Sequence, residues 1–202
     1  MKQEGNIEDK YNAILNAADA IMQNENLGAM SISKVARKAK VAKGTVYLYF
    51  KDKEEIIGKL AIRARKLMLE YFKKYVGEKT NPLDRIKGIF YADYYYFKEQ
   101  RAYHQLITFY EQNTGLTESG ELADTGQAIS SYINKIIQEA IDLKAIRQDI
   151  DSKTLSFMFW GMAIGIIQLL ETRNQQLKSY LDNSGKEFYD VFVQTTVEGL
   201  TI

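Results

Sequence analysis

Positive charge is concentrated between Ser31 and Lys53, where seven lysines or arginines accompany a single aspartate. The local net charge is +6, whereas the whole chain of 202 residues has 27 basic and 26 acidic residues and a formal net charge of +1. Serine, threonine and tyrosine hydroxyls are interleaved with these cations. Cations, hydroxyls and helix N-termini are the groups that hold phosphate oxygens. The stretch therefore has the chemistry of a polyanion-binding surface.

Two short helices joined by a tight turn are expected to position these groups. Ser31 is placed to cap the first helix, because its hydroxyl can accept from a free backbone N–H. The turn is at Lys40-Val41, and the second helix runs from about Ala42 to Leu48. A helix of two turns is not stable alone, so we expect packing against its neighbours to hold it. The apolar residues that we expect to do this are Val41, Val46 and Phe50.

The second short helix fits the major groove of double-stranded DNA, where side chains reach base edges. Lys43 can reach a base or a phosphate, Thr45 can touch a thymine methyl or a phosphate, and Gly44 lets the backbone approach closely. The predicted DNA contacts are Ser31, Ser33, Lys43, Gly44, Thr45, Tyr47, Leu48 and Lys53. The cations interpreted instead as a solvated face are Lys34, Arg37 and Lys38.

Composition narrows the class of protein. With 46% apolar and 26% charged residues the chain has an ordinary globular composition, and a single proline with few alternating β-branched runs favours an all-α fold. The absence of cysteine excludes disulfides, zinc fingers and thiolate nucleophiles. The one histidine, His104, has no nucleophile motif beside it and no metal-binding partners at ligand spacing. We therefore predict no catalytic residue, no metal and no cofactor.

The N-terminal fifty or so residues resemble the DNA-binding domain of TetR-family (tetracycline-repressor-like) transcriptional regulators. The residues that carry the resemblance, at the spacing of the family signature, are Ser31, Val35-Ala36, Ala39, Val41, Gly44-Thr45, Tyr47, Tyr49-Phe50, Lys53-Glu54 and Ile56. Two positions depart from it, since Lys40 replaces the usual turn glycine and Ala42 the usual capping serine. A lysine in the glycine conformation costs about 1 kcal/mol. An alanine at the cap forfeits about 1 kcal/mol of helix stability.

The predicted fold is all-α, with a helix-turn-helix DNA-binding domain at 1–52, a connector helix at 53–76, and a helical ligand-binding and dimerisation domain at 77–202. A capping box at the start of the connector supports that boundary. The resemblance implies a homodimer in which the last two long helices, about 152–176 and 184–200, form a four-helix bundle. Such a dimer would present two recognition helices to a palindromic DNA operator.

One uncharged run, from Thr154 to Leu170, is at the short limit for spanning a bilayer. Polar residues lie within it and charged residues flank it, so we interpret it as a helix buried on most faces. Gly161 and Gly165, four residues apart, would allow another helix to approach closely. No signal peptide is visible, and we predict a cytoplasmic protein that is not inserted in a membrane.

The resemblance also implies a small-molecule inducer bound within each subunit. Aromatic and methionine side chains, with a few hydroxyls and one imidazole, suit an apolar or planar ligand. The predicted ligand-binding residues are Phe90, Tyr94, Tyr103, His104, Phe109, Tyr110, Met158 and Met162, with Tyr95, Phe97 and Trp160 as further candidates. For each residue the alternative is that it fills the core, because aromatic residues at helical spacing usually do.

The resulting hypothesis is a ligand-responsive repressor that a small, largely apolar or aromatic inducer releases from its operator. Inducer binding would pivot the helix from Asp52 to Val76 and change the spacing of the two recognition helices. An architectural DNA-binding protein without a ligand is the alternative that the sequence separates poorly from this hypothesis. A cavity in the C-terminal domain, with DNA released on addition of a ligand, would distinguish the two.

Overall fold

The structure is a computed structural model that describes residues 2–112, 120–181 and 185–201. Over these residues the chain forms ten α-helices and no strand, which confirms the predicted fold class. The helices are α1 (Lys2–Glu25), α2 (Ile32–Ala39), α3 (Lys43–Tyr49), α4 (Lys53–Val76), α5 (Pro82–Glu99), α6 (Arg101–Gln112), α7 (Gly120–Asp142), α8 (Ser152–Thr172), α9 (Asn174–Leu181) and α10 (Gly185–Glu198).

The chain packs as two compact units. The first unit consists of Met1–Lys66 with Gln100–Thr125, and the second of Leu67–Glu99 with Gly126–Ile202. The first unit thus holds α1 to α3, the first part of α4, α6 and the start of α7. The predicted division at residues 52 and 77 concerns the roles of the segments, and it stays a prediction.

The helix-turn-helix in the first unit consists of α2 and α3, with α2 packed against α1. Ser31 caps α2 as predicted, because its hydroxyl accepts a hydrogen bond from the backbone N–H of Lys34 at 3.3 Å. Val46 of α3 is fully buried and Phe50 is 1% exposed. The Phe50 ring stacks on Tyr11 of α1 with ring centroids 4.9 Å apart. These contacts provide the tertiary packing that a helix of only seven residues needs.

The turn between α2 and α3 keeps both departures from the family signature. Lys40 follows α2 with φ 57° and ψ 40°, in the left-handed region that favours glycine. Ala42 stands at the N-cap of α3 and makes no side-chain hydrogen bond there. The conformation of the turn is therefore stabilised by packing against neighbouring elements, and not by a glycine or a side-chain cap within the turn.

Replacing Lys40 with glycine is expected to raise the free energy of unfolding by about 1 kcal/mol, because glycine takes the left-handed conformation without steric strain. Urea denaturation of the purified protein measures this change. Lys38→Gly is the matched control: Lys38 is an exposed position inside α2, where glycine should lower stability by about 1 kcal/mol. Equal destabilisation by both changes would contradict a strained turn at Lys40.

The start of α4 confirms the predicted capping box. The Asp52 carboxylate accepts from the backbone N–H of Glu55 at 2.8 Å, and the Glu55 carboxylate accepts from the N–H of Lys51 at 2.6 Å. The helix α5 begins at Pro82, and the Asn81 side chain before it accepts hydrogen bonds from the backbone N–H groups of Leu83 and Asp84. The sequence also predicts a loop from Thr114 to Gly120. Of these residues the structure describes only Gly120, which begins α7.

The second unit has α5 at its centre, because α8 and α10 both pack against it. Phe90 of α5 is fully buried, with ring centroids 5.0 Å from Phe159 of α8 and 5.3 Å from Phe192 of α10. The buried Tyr189 hydroxyl donates to the backbone carbonyl of Phe90 at 2.7 Å. At Gly88 an added Cβ would lie 2.5 Å from a backbone oxygen of α4, so the close approach of α4 and α5 requires glycine.

The predicted burial of α8 on most faces is wrong for the single chain. Its buried stripe consists of Leu155, Phe159, Ala163, Ile167 and Leu170, and only 28% of its most apolar 18-residue window is buried. Apolar periodicity shows that the apolar faces of a helix must be buried, but it does not show that residues of the same chain bury them. Among the described helices α8 is the one that is long and apolar enough to cross a membrane. It ends at Thr172, before the predicted end near Gln176, and α9 follows separately.

Candidate nucleic-acid interface

The helix α3 has one face that packs into the first unit and one that is exposed. Val46 occupies the packed face, while Tyr47 is 51% exposed and Leu48 is 82% exposed. Apart from the adjacent backbone of α3, no atom of the described residues lies within 4 Å of the position that a Cβ on Gly44 would take. The first turn of α3 therefore leaves its backbone open to close approach, with apolar and hydroxyl groups beside it.

Cations accompany this face. The Lys43 ammonium lies 6.0 Å from the centroid of the Tyr47 ring, so the two side chains share one side of α3. Thr45 is half-buried, and Lys53 begins α4. Hydroxyl, ammonium and open backbone groups in one place can hold phosphate oxygens and reach base edges.

The start of α2 contributes two hydroxyls. Ser31 and Ser33 are both exposed. The Ser31 oxygen already accepts the capping hydrogen bond, but its O–H can still donate to an acceptor such as a phosphate. The cations interpreted as a solvated face are not equivalent: Lys34 forms an ion pair with Glu25, whereas Arg37 and Lys38 are exposed.

Half of the predicted ligand-binding residues lie in the second unit. Phe90 is at the centre of its aromatic core, and Tyr94, which is 6% exposed, packs against Tyr189 with ring centroids 4.7 Å apart. Burial raises the pKa of Tyr94. Met162 is half-buried and Met158 is 47% exposed on α8. Phe90 and Tyr94 thus pack with the core, and a ligand role for these four residues stays a prediction.

The other half lie on α6 in the first unit. The Tyr103 hydroxyl donates to the Asp19 carboxylate at 2.6 Å. Burial, and secondly this hydrogen bond, raise the pKa of Tyr103 to about 12. The Tyr110 hydroxyl lies 3.4 Å from where a Cβ on Gly58 would stand. His104 is half-buried and Phe109 is 37% exposed. The Tyr103 hydroxyl therefore already has a hydrogen-bond partner within the chain. A ligand role for these four residues stays a prediction.

Metal binding finds no support in the part of the chain that the structure describes. Within it, no group of three or more histidine, cysteine, aspartate or glutamate side chains is placed to hold a metal ion. The site is thus defined by its cations, hydroxyls and open backbone.

The fold and this surface define the class of a helix-turn-helix DNA-binding protein. A family model described as "Bacterial regulatory proteins, tetR family" matches residues 14–60, which cover the second half of α1, the helix-turn-helix and the start of α4. This match confirms the resemblance carried by the signature residues. Residues 14–60 therefore carry the DNA-binding domain of the TetR family of transcriptional regulators.

Known proteins similar to the chain are also regulators. It is 31% identical over 91 residues to an uncharacterised HTH-type transcriptional regulator of Haemophilus influenzae, a match that spans 45% of the chain and about half, 49%, of that protein. It is 24% identical over 163 residues to the fatty acid metabolism regulator protein of Bacillus subtilis, covering 75% of the chain and 78% of that protein. Both of these relatives are named as regulators, and neither is named as an enzyme.

The fold is shared with solved structures of other proteins. The crystal structure of AibR in complex with isovaleryl coenzyme A and operator DNA is similar, with a TM-score of 0.64 and 18% identity, over 92% of this chain and 97% of that one. At this identity the similarity concerns the arrangement of helices alone.

Proposed function

We propose that the protein is a homodimeric repressor that binds a palindromic DNA operator and releases it when a small, largely apolar or aromatic ligand binds. The observation that carries the DNA-binding part is the exposed face of α3, where Lys43, Tyr47 and Leu48 stand beside the open backbone of Gly44. We also propose that the protein acts in the cytoplasm, because its proposed target is operator DNA.

In the proposed complex α3 lies in the major groove and the adjoining helix starts hold the DNA backbone. Lys43 and Leu48 face base edges, with Leu48 against a thymine methyl. The Tyr47 hydroxyl, the Ser31 hydroxyl and the Lys53 ammonium contact phosphates and fix the position of α3. Phosphate contacts from lysine make the affinity salt-dependent, since each one releases counterions.

Lys43→Ala is expected to weaken operator binding by about 10- to 100-fold, the loss of a base or phosphate contact of 1–3 kcal/mol. Tyr47→Phe removes one hydroxyl and should weaken binding by about 3- to 10-fold. Fluorescence anisotropy with labelled operator DNA at several fixed salt concentrations measures both. The operator fragment is first selected from random DNA with the wild-type protein.

Lys178→Ala is the matched control, because Lys178 is an exposed cation on α9 in the second unit. It should leave affinity and salt dependence unchanged. Unaltered operator affinity of Lys43→Ala, with an unaltered circular dichroism spectrum, would refute the proposed docking of α3.

The homodimer is proposed from the uncovered faces of α8 and α10. Four large apolar side chains of α8 are exposed, namely Phe157, Met158, Trp160 and Leu169, and Val191 of α10 is 59% exposed. An exposed apolar surface of this kind is typical of a protein–protein contact. A two-fold dimer through these faces would place two copies of α3 on the two halves of a palindrome.

The nature of the ligand is proposed from the chain and its relatives together. The predicted ligand residues are mainly aromatic or methionine, which suits an apolar or planar molecule. One relative is a fatty acid metabolism regulator, and AibR was solved with isovaleryl coenzyme A. We therefore place an acyl group among the candidate apolar ligands. Whatever its identity, the ligand must bind the arrangement that does not fit the operator more tightly than the one that does.

A further inference from the structure

A cleft of about 310 Å³ lies within the first unit, between α1, α4 and the first turn of α7. Its apolar wall includes Tyr11 and Leu15 of α1, and its charged wall includes Lys59, Arg63 and Lys66 of α4. The three cations follow one another at steps of four and three residues, so they share one face of the helix. None of these residues is among the predicted DNA or ligand contacts.

The carboxylate of Glu121 stands in the cleft between two of the cations. Its oxygens lie 2.7 Å from the Lys59 ammonium and 3.3 Å from the Lys66 ammonium. The hydrogen bonds from these lysines hold the pKa of the Glu121 carboxyl below its usual range, and the bond to Glu121 raises the pKa of Lys59. One monoanionic group is therefore shared by two ammonium groups.

The third cation has its own partner. Arg63 donates to the Asp19 carboxylate at 2.9 Å and to the Asn16 side chain at 3.0 Å. Glu55 also raises the pKa of Lys59 by charge attraction, but less than Glu121 and Tyr11 do. Among the residues that line the cleft, three are cationic and one, Glu121, is anionic. With the Asp19 carboxylate beside Arg63, these three cations face two carboxylates, so the charged groups at the cleft have a net charge of 3 − 2 = +1.

We propose that this cleft is a second ligand site, which binds the dianionic phosphoryl group of a small molecule in place of the Glu121 carboxylate. A phosphoryl group carries nearly two negative charges and three acceptor oxygens. It can therefore engage Lys59 and Lys66 together and still leave an oxygen for Arg63. The apolar wall formed by Tyr11 and Leu15 would pack against the rest of the ligand.

A ligand with a single carboxylate would not displace Glu121 from the two lysines. Glu121 is attached to the chain, so its carboxylate competes at an effective concentration in the millimolar range or above. A monoanionic ligand offers the lysines no more charge than Glu121 already does. A dianion offers more, because charge-assisted hydrogen bonds strengthen with the charge of the acceptor. The site should accordingly select phosphate over acetate.

Binding would also remove the two Glu121 bonds that connect the first turn of α7 to α4. Besides the Glu121 bonds, the Arg65 guanidinium donates to the backbone carbonyl of Leu122 at 3.0 Å, and the Leu122 side chain is 1% exposed. Loss of the two Glu121 bonds would leave those contacts to hold the turn. If the protein acts as the proposed repressor, the site would alter operator affinity through α4, which carries both Lys53 and the cleft cations.

Calorimetric titration of the full-length protein with inorganic phosphate, at constant ionic strength, tests the site without DNA. We expect saturable binding of one phosphate per chain and no binding of acetate. Replacing both Lys59 and Lys66 with methionine should weaken phosphate binding at least about 10-fold, since methionine keeps the apolar stem and removes the charge. Glu121→Gln should tighten it about 3- to 10-fold, because the internal competitor loses its charge.

Two control variants separate this cleft from other cationic surfaces. Lys73→Met changes a cation of α4 that is paired with Glu70 outside the cleft, and Lys43→Ala changes the proposed DNA surface. Both should bind phosphate as the wild type does. Phosphate binding that is absent, that survives loss of both cleft lysines, or that Glu121→Gln fails to tighten would overturn the site. None of these outcomes tests the proposed repressor function, because the titration contains no operator DNA.

Discussion

Replacing Phe157 and Trp160 together with glutamate is expected to convert the protein to a monomer and to weaken operator binding by at least about 100-fold. The two side chains are 71% and 48% exposed on α8, with ring centroids 6.2 Å apart. In the proposed dimer they are buried, and two charges there would be desolvated without partners. A monomer binds one half-site only, so it loses the gain of about 10²- to 10⁴-fold that linked sites provide. Sedimentation equilibrium and operator anisotropy measure the two effects.

Leu143→Glu is the matched control for this double change. Leu143 is 68% exposed and directly follows α7, outside α8 and α10. It should leave the dimer and the operator affinity intact. A wild-type protein that sediments as a monomer at micromolar concentration would refute the dimer, and so would a double variant that remains dimeric.

Gly161 and Gly165 of α8 provide a second argument for the dimer contact. Apart from the adjacent backbone of α8, no atom of the described residues lies within 4 Å of a Cβ added at Gly161 or Gly165. Within a single chain a methyl group would therefore cost nothing, although glycine inside a helix costs about 1 kcal/mol relative to alanine. The close approach of a partner helix would explain why glycine occupies both positions.

Truncation of Phe90 to alanine is expected to lower the free energy of unfolding by about 3–5 kcal/mol, the cost of removing a fully buried phenylalanine. The ring is 0% exposed and touches Phe159 and Phe192, so it joins α5 to both α8 and α10. Its removal leaves a cavity that these neighbours fill only in part. Urea denaturation followed by circular dichroism measures the loss, at one protein concentration because a dimer's stability depends on it.

Leu48→Ala provides the comparison for Phe90, since Leu48 is 82% exposed on α3. Its effect on stability should stay within about 0.5 kcal/mol. A loss below about 1 kcal/mol for Phe90→Ala would show that the ring is not part of a tightly packed core. In that case Phe90 would again be a candidate ligand contact.

The helix-turn-helix could be predicted residue by residue because its determinants are local. The Ser31 cap, the buried Val46 and Phe50, and the capping box at Asp52 and Glu55 all lie within one short segment. Capping and helical periodicity act over three or four residues, so spacing alone defines them. Even the departures at Lys40 and Ala42 had the structural result expected of their residue types.

The aromatic residues of the second half show where sequence reasoning stops. A buried aromatic and a ligand-lining aromatic have the same residue type and the same spacing. Only the fold shows that Phe90 and Tyr94 pack with Tyr189, Phe159 and other rings from distant parts of the chain. For the same reason the sequence predicted cover on most faces of α8, whereas the folded chain leaves one face open.

By itself, the sequence determined the fold class, the position of the recognition helix and the family, because these follow from local patterns of charge, capping and apolar spacing. The tertiary structure alone decided which residues meet across the chain. Lys59 and Glu121 are 62 residues apart and Tyr103 and Asp19 are 84 apart, yet each pair is hydrogen-bonded. No local pattern encodes such a meeting, since it depends on how whole helices pack together.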